Sequence, residues 1–188
     1  VSSDSVGTVE NVLVDVVDAR NVRFEHEELK VIARSPMAQR VLDVCTVSRD
    51  RVGVLFIDLD SFKLVNDRYG HEAGNDILRA VASEIRAAVR ASDVASRYGG
   101  DEFVVILTRT DLPGATRVAE ALRAGIEGVG RRLGYPAGLV TVSIGVAEFD
   151  PHRPADGDLL VAADRALYRA KMAGRNLIAE AQRLRQHE

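Results

Sequence analysis

The chain has 188 residues, 46% hydrophobic and 28% charged, which fits one ordinary globular domain with a modest appendage and a real core. A net charge of -3, with both signs mixed along the chain, argues against a general nucleic-acid or membrane surface, so any phosphate binding is expected to be local. Cys45 is the single cysteine and there are 4 histidines, which excludes a disulfide framework and a sulfur-rich zinc cluster. No apolar run reaches bilayer-spanning length, and the opening VSSDSVGT lacks the basic and apolar regions of a signal peptide, so a reducing cytoplasm is the expected location.

Residues 9–17 (VENVLVDVV) read as a strand of β-branched and aliphatic residues. From about Arg20 to about Thr46 the chain is charged and periodic, with Leu29, Ile32, Ala33, Met37, Val41 and Val44 at helical spacing and Pro36 as an interruption. This predicts a connecting helix over 20–35 and a main domain from residue 36 to about 180, with 181–188 as a tail. The run VGVLFID after Asp50 is a short buried strand that ends in carboxylates. Residues 75–90 set Ile77, Leu78, Val81, Ala82, Ile85 and Val89 on one stripe of an amphipathic helix. VASRY and EFVVILT flank the glycine turn at Gly99 and Gly100 as a hairpin. A helix from about Leu112 to Leu133, a strand at LVTVSIGVAEF, and a helix from about Asp158 to Ala173 closed by Gly174 complete the pattern. Helices alternate with strands, but the central hairpin disfavours a purely parallel sheet, so the expected fold is α+β: one central mixed sheet with helices outside.

Four acids stand out. Asp58 and Asp60 close the buried strand, and Asp101 and Glu102 sit at the hairpin tip; neighbouring strands would gather them on one edge. Strand ends and turns favour single acids anyway, but four oxygen-donor side chains without His or Cys suit magnesium or manganese rather than zinc. Gly99 and Gly100 would allow positive φ and a close backbone approach, as for a phosphate. Lys63 follows the acidic strand end, and Lys171 and Arg175 lie four apart in a helix's last turn, where the helix dipole alone would also favour them.

The strings FIDLDSFKLVNDRYGHEAGN, RYGGDEF, VSIGVAE and ADRALYRAKMAGRN strongly resemble the GGDEF family of diguanylate cyclases over about residues 30–180. The resemblance implies a fold like that of class III nucleotidyl cyclases and condensation of two GTP into cyclic di-GMP by a metal-dependent homodimer. By similarity Asp58, Asp101 and Glu102 form the catalytic acidic set and, with the Leu59 carbonyl, ligate Mg2+ or Mn2+, two ions per GTP. Phe62, Lys63, Lys171 and Arg175 would meet the substrate phosphates, and Asn66 with Asn75 would read the guanine. His71 matches a neighbouring motif position and is read as structural. Arg90 and Asp93 (RASD) stand where the family carries its inhibitory product site for cyclic di-GMP; the family's secondary inhibitory arginine has no clear counterpart here, with Arg117 and Arg123 as candidates.

Two departures matter. Asn75 replaces the family's usual aspartate, so its amide could serve guanine or adenine. The stretch VIARSPMAQR replaces the family's opening motif, with only Arg40 retained. The segment NVLVDVVDARN and the charged helix after it resemble the last strand of a PAS sensor domain, residues 1–19, and its signalling helix. That implies an upstream sensor, and the C-terminal tail could lead to a phosphodiesterase domain. The alternatives to an active cyclase are a non-catalytic module that binds GTP or cyclic di-GMP, and a cyclase with relaxed base choice.

Overall fold

The computed structural model describes residues 50–152 and 159–181, with Asp43 and Val47 as exposed helical positions before them. The strand at 9–17, the connecting helix and its break at Pro36, Cys45 and the tail from residue 182 lie outside the described residues. The order is β1 (Val52–Leu59), α1 (Phe62–Ala88), β2 (Val94–Arg97), β3 (Glu102–Thr108), α2 (Leu112–Arg132), β4 (Val142–Phe149), α3 (Leu159–Met172) and β5 (Ile178–Glu180). The five strands form one sheet in the order β2-β3-β1-β4-β5, antiparallel except for the parallel pair β4 and β5. The expected mixed sheet with helices outside is the observed fold.

Strand β1 lies at the centre, and all of its residues are buried, because helices cover both faces of the sheet. Alternation sends Leu55, Ile57 and Leu59 to one face, against Ile77, Leu78, Val81 and Ile85 of α1 and Leu122 and Ile126 of α2. Val54 and Phe56 go to the other, with Val104, Ile106 and Leu160, Ala163 and Leu167 of α3. Each of these aliphatic side chains contributes about 2 kcal/mol by leaving water. Helix α2 starts where Asp111 caps it, its carboxylate accepting the Gly114 amide at 2.9 Å.

Three elements differ from the sequence pattern. The helix expected over 75–90 begins at Phe62 and ends at Ala88; it is two helices joined across Gly70, whose φ of 86° breaks the spiral. The first segment has a helical stripe of its own, Phe62, Val65 and Tyr69, and Tyr69 packs edge-on against Tyr135 at 5.1 Å. The strand expected from Leu139 begins at Val142, and β5 is a three-residue strand too short to leave a periodic signal.

Helix α3 lies directly on β4 at Gly145, where a Cβ would sit inside contact distance of the Ala163 carbonyl and the Leu167 amide. Both are backbone groups that cannot turn aside. Gly145→Ala is therefore expected to cost at least about 2 kcal/mol in denaturant unfolding, the cost of forcing apart a packed interface; wild-type stability would refute this contact.

Candidate functional site

The antiparallel register of β1 and β3 sets Asp58 opposite Glu102, and the Leu59 amide donates to the Asp101 carbonyl at 3.1 Å. Asp58 therefore shares one edge with the hairpin-tip acids Asp101 and Glu102. Lys171, in the last turn of α3, brings Nζ to 2.8 Å from Asp58 Oδ2. Asp58 is 7% exposed, and burial raises its pKa to about 6 even though the Lys171 hydrogen bond and charge pull it down; the charges of Asp101 and Glu102 add to the rise. Burial also raises Asp101, against the lowering effects of Lys171 and Arg97. The three acids thus feel one another, yet among the described residues no three His, Cys, Asp or Glu side chains converge on one point. Magnesium commonly takes one or two carboxylates and completes its shell with water and substrate phosphate, so this hard-oxygen set fits such an ion.

The hairpin tip is held by an arginine. Arg97 donates from Nε to the Gly99 carbonyl at 3.1 Å and from Nη2 to the Gly100 carbonyl at 2.5 Å, while the Tyr98 amide donates to Glu102 O at 2.8 Å. Neither Gly99 nor Gly100 uses the positive φ that glycine would allow there. Their value lies in space: a Cβ on Gly100 would meet nothing within 4 Å, so that edge stands open to a ligand.

Asp60, the fourth acid, is not part of the open cluster. Its carboxylate accepts from Thr141 Oγ1 at 2.8 Å, Ser143 Oγ at 2.7 Å and the Asn176 amide at 2.9 Å, all within the protein. Arg175 is likewise not in the last turn of a helix with Lys171, as its spacing suggested. Helix α3 ends at Met172, and Gly174, Arg175 and Asn176 all have positive φ, which turns Arg175 off the helix face.

The residues after β1 form a second region. Phe62 is buried, so only its backbone at the start of α1 is open to a phosphate, whereas Lys63 is exposed. The break at Gly70 folds the chain so that Asn66 lies against Gly74, where any Cβ would strike its side-chain oxygen. Asn66 is half-buried, Asn75 follows Gly74 and is exposed, and His71 is exposed. Arg90 and Asp93 lie at the far end of β1 from Asp58, about 20 Å away at the rise of a strand. The Asp93 carboxylate accepts from the Arg90 amide at 3.0 Å and from the Thr108 amide at 3.0 Å, which shapes the turn that carries the exposed Arg90 side chain. Arg117 is exposed, whereas Arg123 is tied to Glu120, Glu127 and Asn176. Sequence reasoning missed the roles of Arg97 and Asn176, since their partners are backbone carbonyls or distant residues.

Residues 30–177 match the family described as diguanylate cyclase, GGDEF domain. The response regulator PleD of Caulobacter vibrioides is 40% identical over 135 residues, which is 71% of this chain and 30% of that protein. Diguanylate cyclase A of Treponema denticola is 38% identical over 130 residues, 69% of this chain and 35% of that protein. The chain thus spans about a third of the length of these curated relatives. The GGDEF domain of DgcB from Caulobacter crescentus, solved in complex with c-di-GMP, superposes with a TM-score of 0.70 at 31% identity, covering 79% of this chain and 88% of that one. No helix among the described residues is long and apolar enough to cross a membrane.

The raised pKa of Asp58 sets a pH dependence. Its folded value, about 6, lies above the ordinary carboxylate value of 3.8, so protonation favours the metal-free fold. That contribution is full below the ordinary value and is lost as pH rises through about 6. A cation must displace the same proton, so magnesium is expected to raise the melting temperature at about pH 7.5 and to lose that effect at about pH 5. Equal magnesium shifts at both would contradict a role for Asp58.

Proposed function

Since the chain belongs to the GGDEF-domain diguanylate cyclase family, we propose that it binds GTP with Mg2+ or Mn2+ and, as a homodimer, converts two GTP to cyclic di-GMP and two pyrophosphates. The observation that carries this reading is the register pairing of Asp58 with Glu102, with Lys171 Nζ 2.8 Å from the Asp58 carboxylate. It supplies acids and a cation at the one edge where phosphates would enter.

In each half-reaction the 3′-hydroxyl oxygen of one nucleotide bonds to the α-phosphorus of the other. The bond from that phosphorus to the β-phosphate's bridging oxygen breaks, pyrophosphate leaves, and the hydroxyl proton passes to a nearby carboxylate or water. Divalent ions, two per GTP, lower the pKa of the 3′-hydroxyl and neutralise the leaving group when bound. Asp58, Asp101, Glu102 and the Leu59 carbonyl would hold them. Lys63, Lys171 and Arg175, with the amide of Phe62 at the start of α1, hold and orient the triphosphate. Lys171 would reach phosphate oxygens from its position beside Asp58, which would hold a metal ion. One acidic edge per domain holds one nucleotide, so each hydroxyl attacks the phosphate on a facing copy, and two copies are required. Arg90, projecting from the turn that Asp93 shapes, would take the product as a feedback inhibitor, far from the edge where it is made. The upstream sensor and a downstream phosphodiesterase belong to a longer protein in this reading.

Asn66 and Asn75 read the base. Asparagine at 75 offers one acceptor where an aspartate would take both the N1 and N2 hydrogens of guanine, so the proposed site is a weak discriminator. Incubation with GTP, ATP and magnesium, followed by chromatography, tests the reading: cyclic di-GMP from the wild-type chain is expected, and none from Asp101→Ala. Binding of GTP without any product would favour the non-catalytic module. Asn75→Asp is expected to raise the preference for GTP over ATP by at least about fivefold, the worth of one added base contact; unchanged competition between the nucleotides would refute the assignment.

A further inference from the structure

Three successive residues after α3 lie in the positive-φ region: Gly174 at 129°, Arg175 at 64° and Asn176 at 48°. Glycine and asparagine tolerate such values, but arginine does so only where its surroundings impose them. Strain of this kind persists when the structure over-determines it, and it gathers at ligand sites. Here the determinants are visible. The Arg175 amide donates to the Ala170 carbonyl at 3.2 Å, and the Leu177 carbonyl accepts from Ile144 at 2.9 Å, so the turn runs straight from the helix end into β5. Between these anchors, Asn176 is held from two sides. Its amide donates to Asp60 Oδ2 at 2.9 Å, and its side-chain oxygen accepts from Arg123 Nη1 at 2.9 Å.

Asp60 is buried, and its carboxylate also accepts from Thr141 and Ser143, so it is spent on holding rather than on ligand chemistry. Arg123 is fixed in turn by Glu120 and Glu127 on α2. We propose that Asp60, supported by Arg123, is a positioning residue that clamps the turn after α3 so that Arg175 is presented to the nucleotide's terminal phosphates. This rests on the reading of Arg175 as a phosphate ligand. Asp58 and Asp60, two residues apart, then divide the work: one meets the ligand's charge directly, and the other fixes the far wall of the same site.

The test uses calorimetry on the full chain with magnesium and two probes: a GTP analogue with a methylene bridge between the α- and β-phosphates, and GMP. Asp60→Asn keeps one acceptor oxygen and is expected to weaken the analogue about tenfold, the scale of a misplaced binding group, while GMP changes by less than about twofold. Arg175→Ala should weaken the analogue as much, and Asp60→Asn in the Arg175→Ala background should add nothing. Equal losses for both probes, additive losses in the double variant, or wild-type affinity in Asp60→Asn would overturn the proposal. If Asp60→Asn fails to fold by circular dichroism, Arg123→Ala decides by the same criteria, since that side chain is 24% exposed and its loss removes only the Asn176 side-chain bond from the turn. A wild-type chain that takes up neither probe, or an Arg175→Ala variant that binds like wild type, fails the parent reading; wild-type binding with an indifferent Asp60 fails only the clamp.

Discussion

The molecule is organised around one electrostatic problem, a carboxylate at the end of its most buried strand. Asp58 is 7% exposed and shares its strand end with Asp101 and Glu102, so its negative charge is costly without a cation beside it. Lys171 meets that need at 2.8 Å, yet burial still outweighs it and the proton affinity stays high. A carboxylate so placed needs a positive charge beside it, and a divalent cation would meet that need as the ammonium does. Much of the surrounding architecture follows from keeping the arrangement intact: β3 must pair with β1 in one register to bring Glu102 opposite, and α3 must lie close on β4 to bring Lys171 in. Gly145 permits the second requirement by having no side chain.

Asp60 solves the opposite problem two residues later. Its two oxygens take hydrogen bonds from two hydroxyls and one amide, neutral donors that make a buried carboxylate tolerable. The contrast between the two is one of partners, neutral dipoles against a movable ammonium. Neutral donors from β4 and from the turn after α3 are fixed by the fold, so Asp60 works as a rivet between the ends of three elements. The Lys171 ammonium stands on a flexible stem, so the partner of Asp58 can change while the fold does not.

Much of this was legible in the residues. The buried run at β1, the hairpin around Gly99 and Gly100, and the stripe from Ile77 to Ile85 follow from apolar periodicity, and the shared edge of Asp58 and Glu102 follows once β1 and β3 are neighbours. What was hidden depends on backbone geometry or on long sequence separation. The first half of α1 carries Phe62, Leu64, Val65 and Tyr69 as apolar markers among polar residues, with Leu64 off the buried stripe, and the break at Gly70 interrupts their period. Arg175 looked helical from its spacing to Lys171, but spacing is blind to the positive φ that takes it off the helix. Asp60 reads like its neighbour because its partners lie 81, 83 and 116 residues away. Arg97 reads as one more basic residue, since its partners are carbonyls, which every residue possesses.

The two regions of the site also differ in rigidity of support, and this bears on selectivity. Phosphate and metal chemistry, in the proposed reaction, draws on strand ends, a helix terminus packed on the sheet, and a turn fixed from two sides. Base reading, in the same proposal, would draw on Asn66, which lies against Gly74 because that residue has no side chain, and on Asn75, the residue after Gly74, on the other side of the break at Gly70 from Asn66. Asn75 is exposed and makes no contribution to the core, so its exchange for another polar residue disturbs nothing beneath it. In the proposed reaction, substitution there would alter which purine is preferred while the acids and cations assigned to its phosphates remain in place. The departure at position 75 thus falls at the point where the architecture tolerates it, since every residue that shapes the phosphate edge is anchored elsewhere.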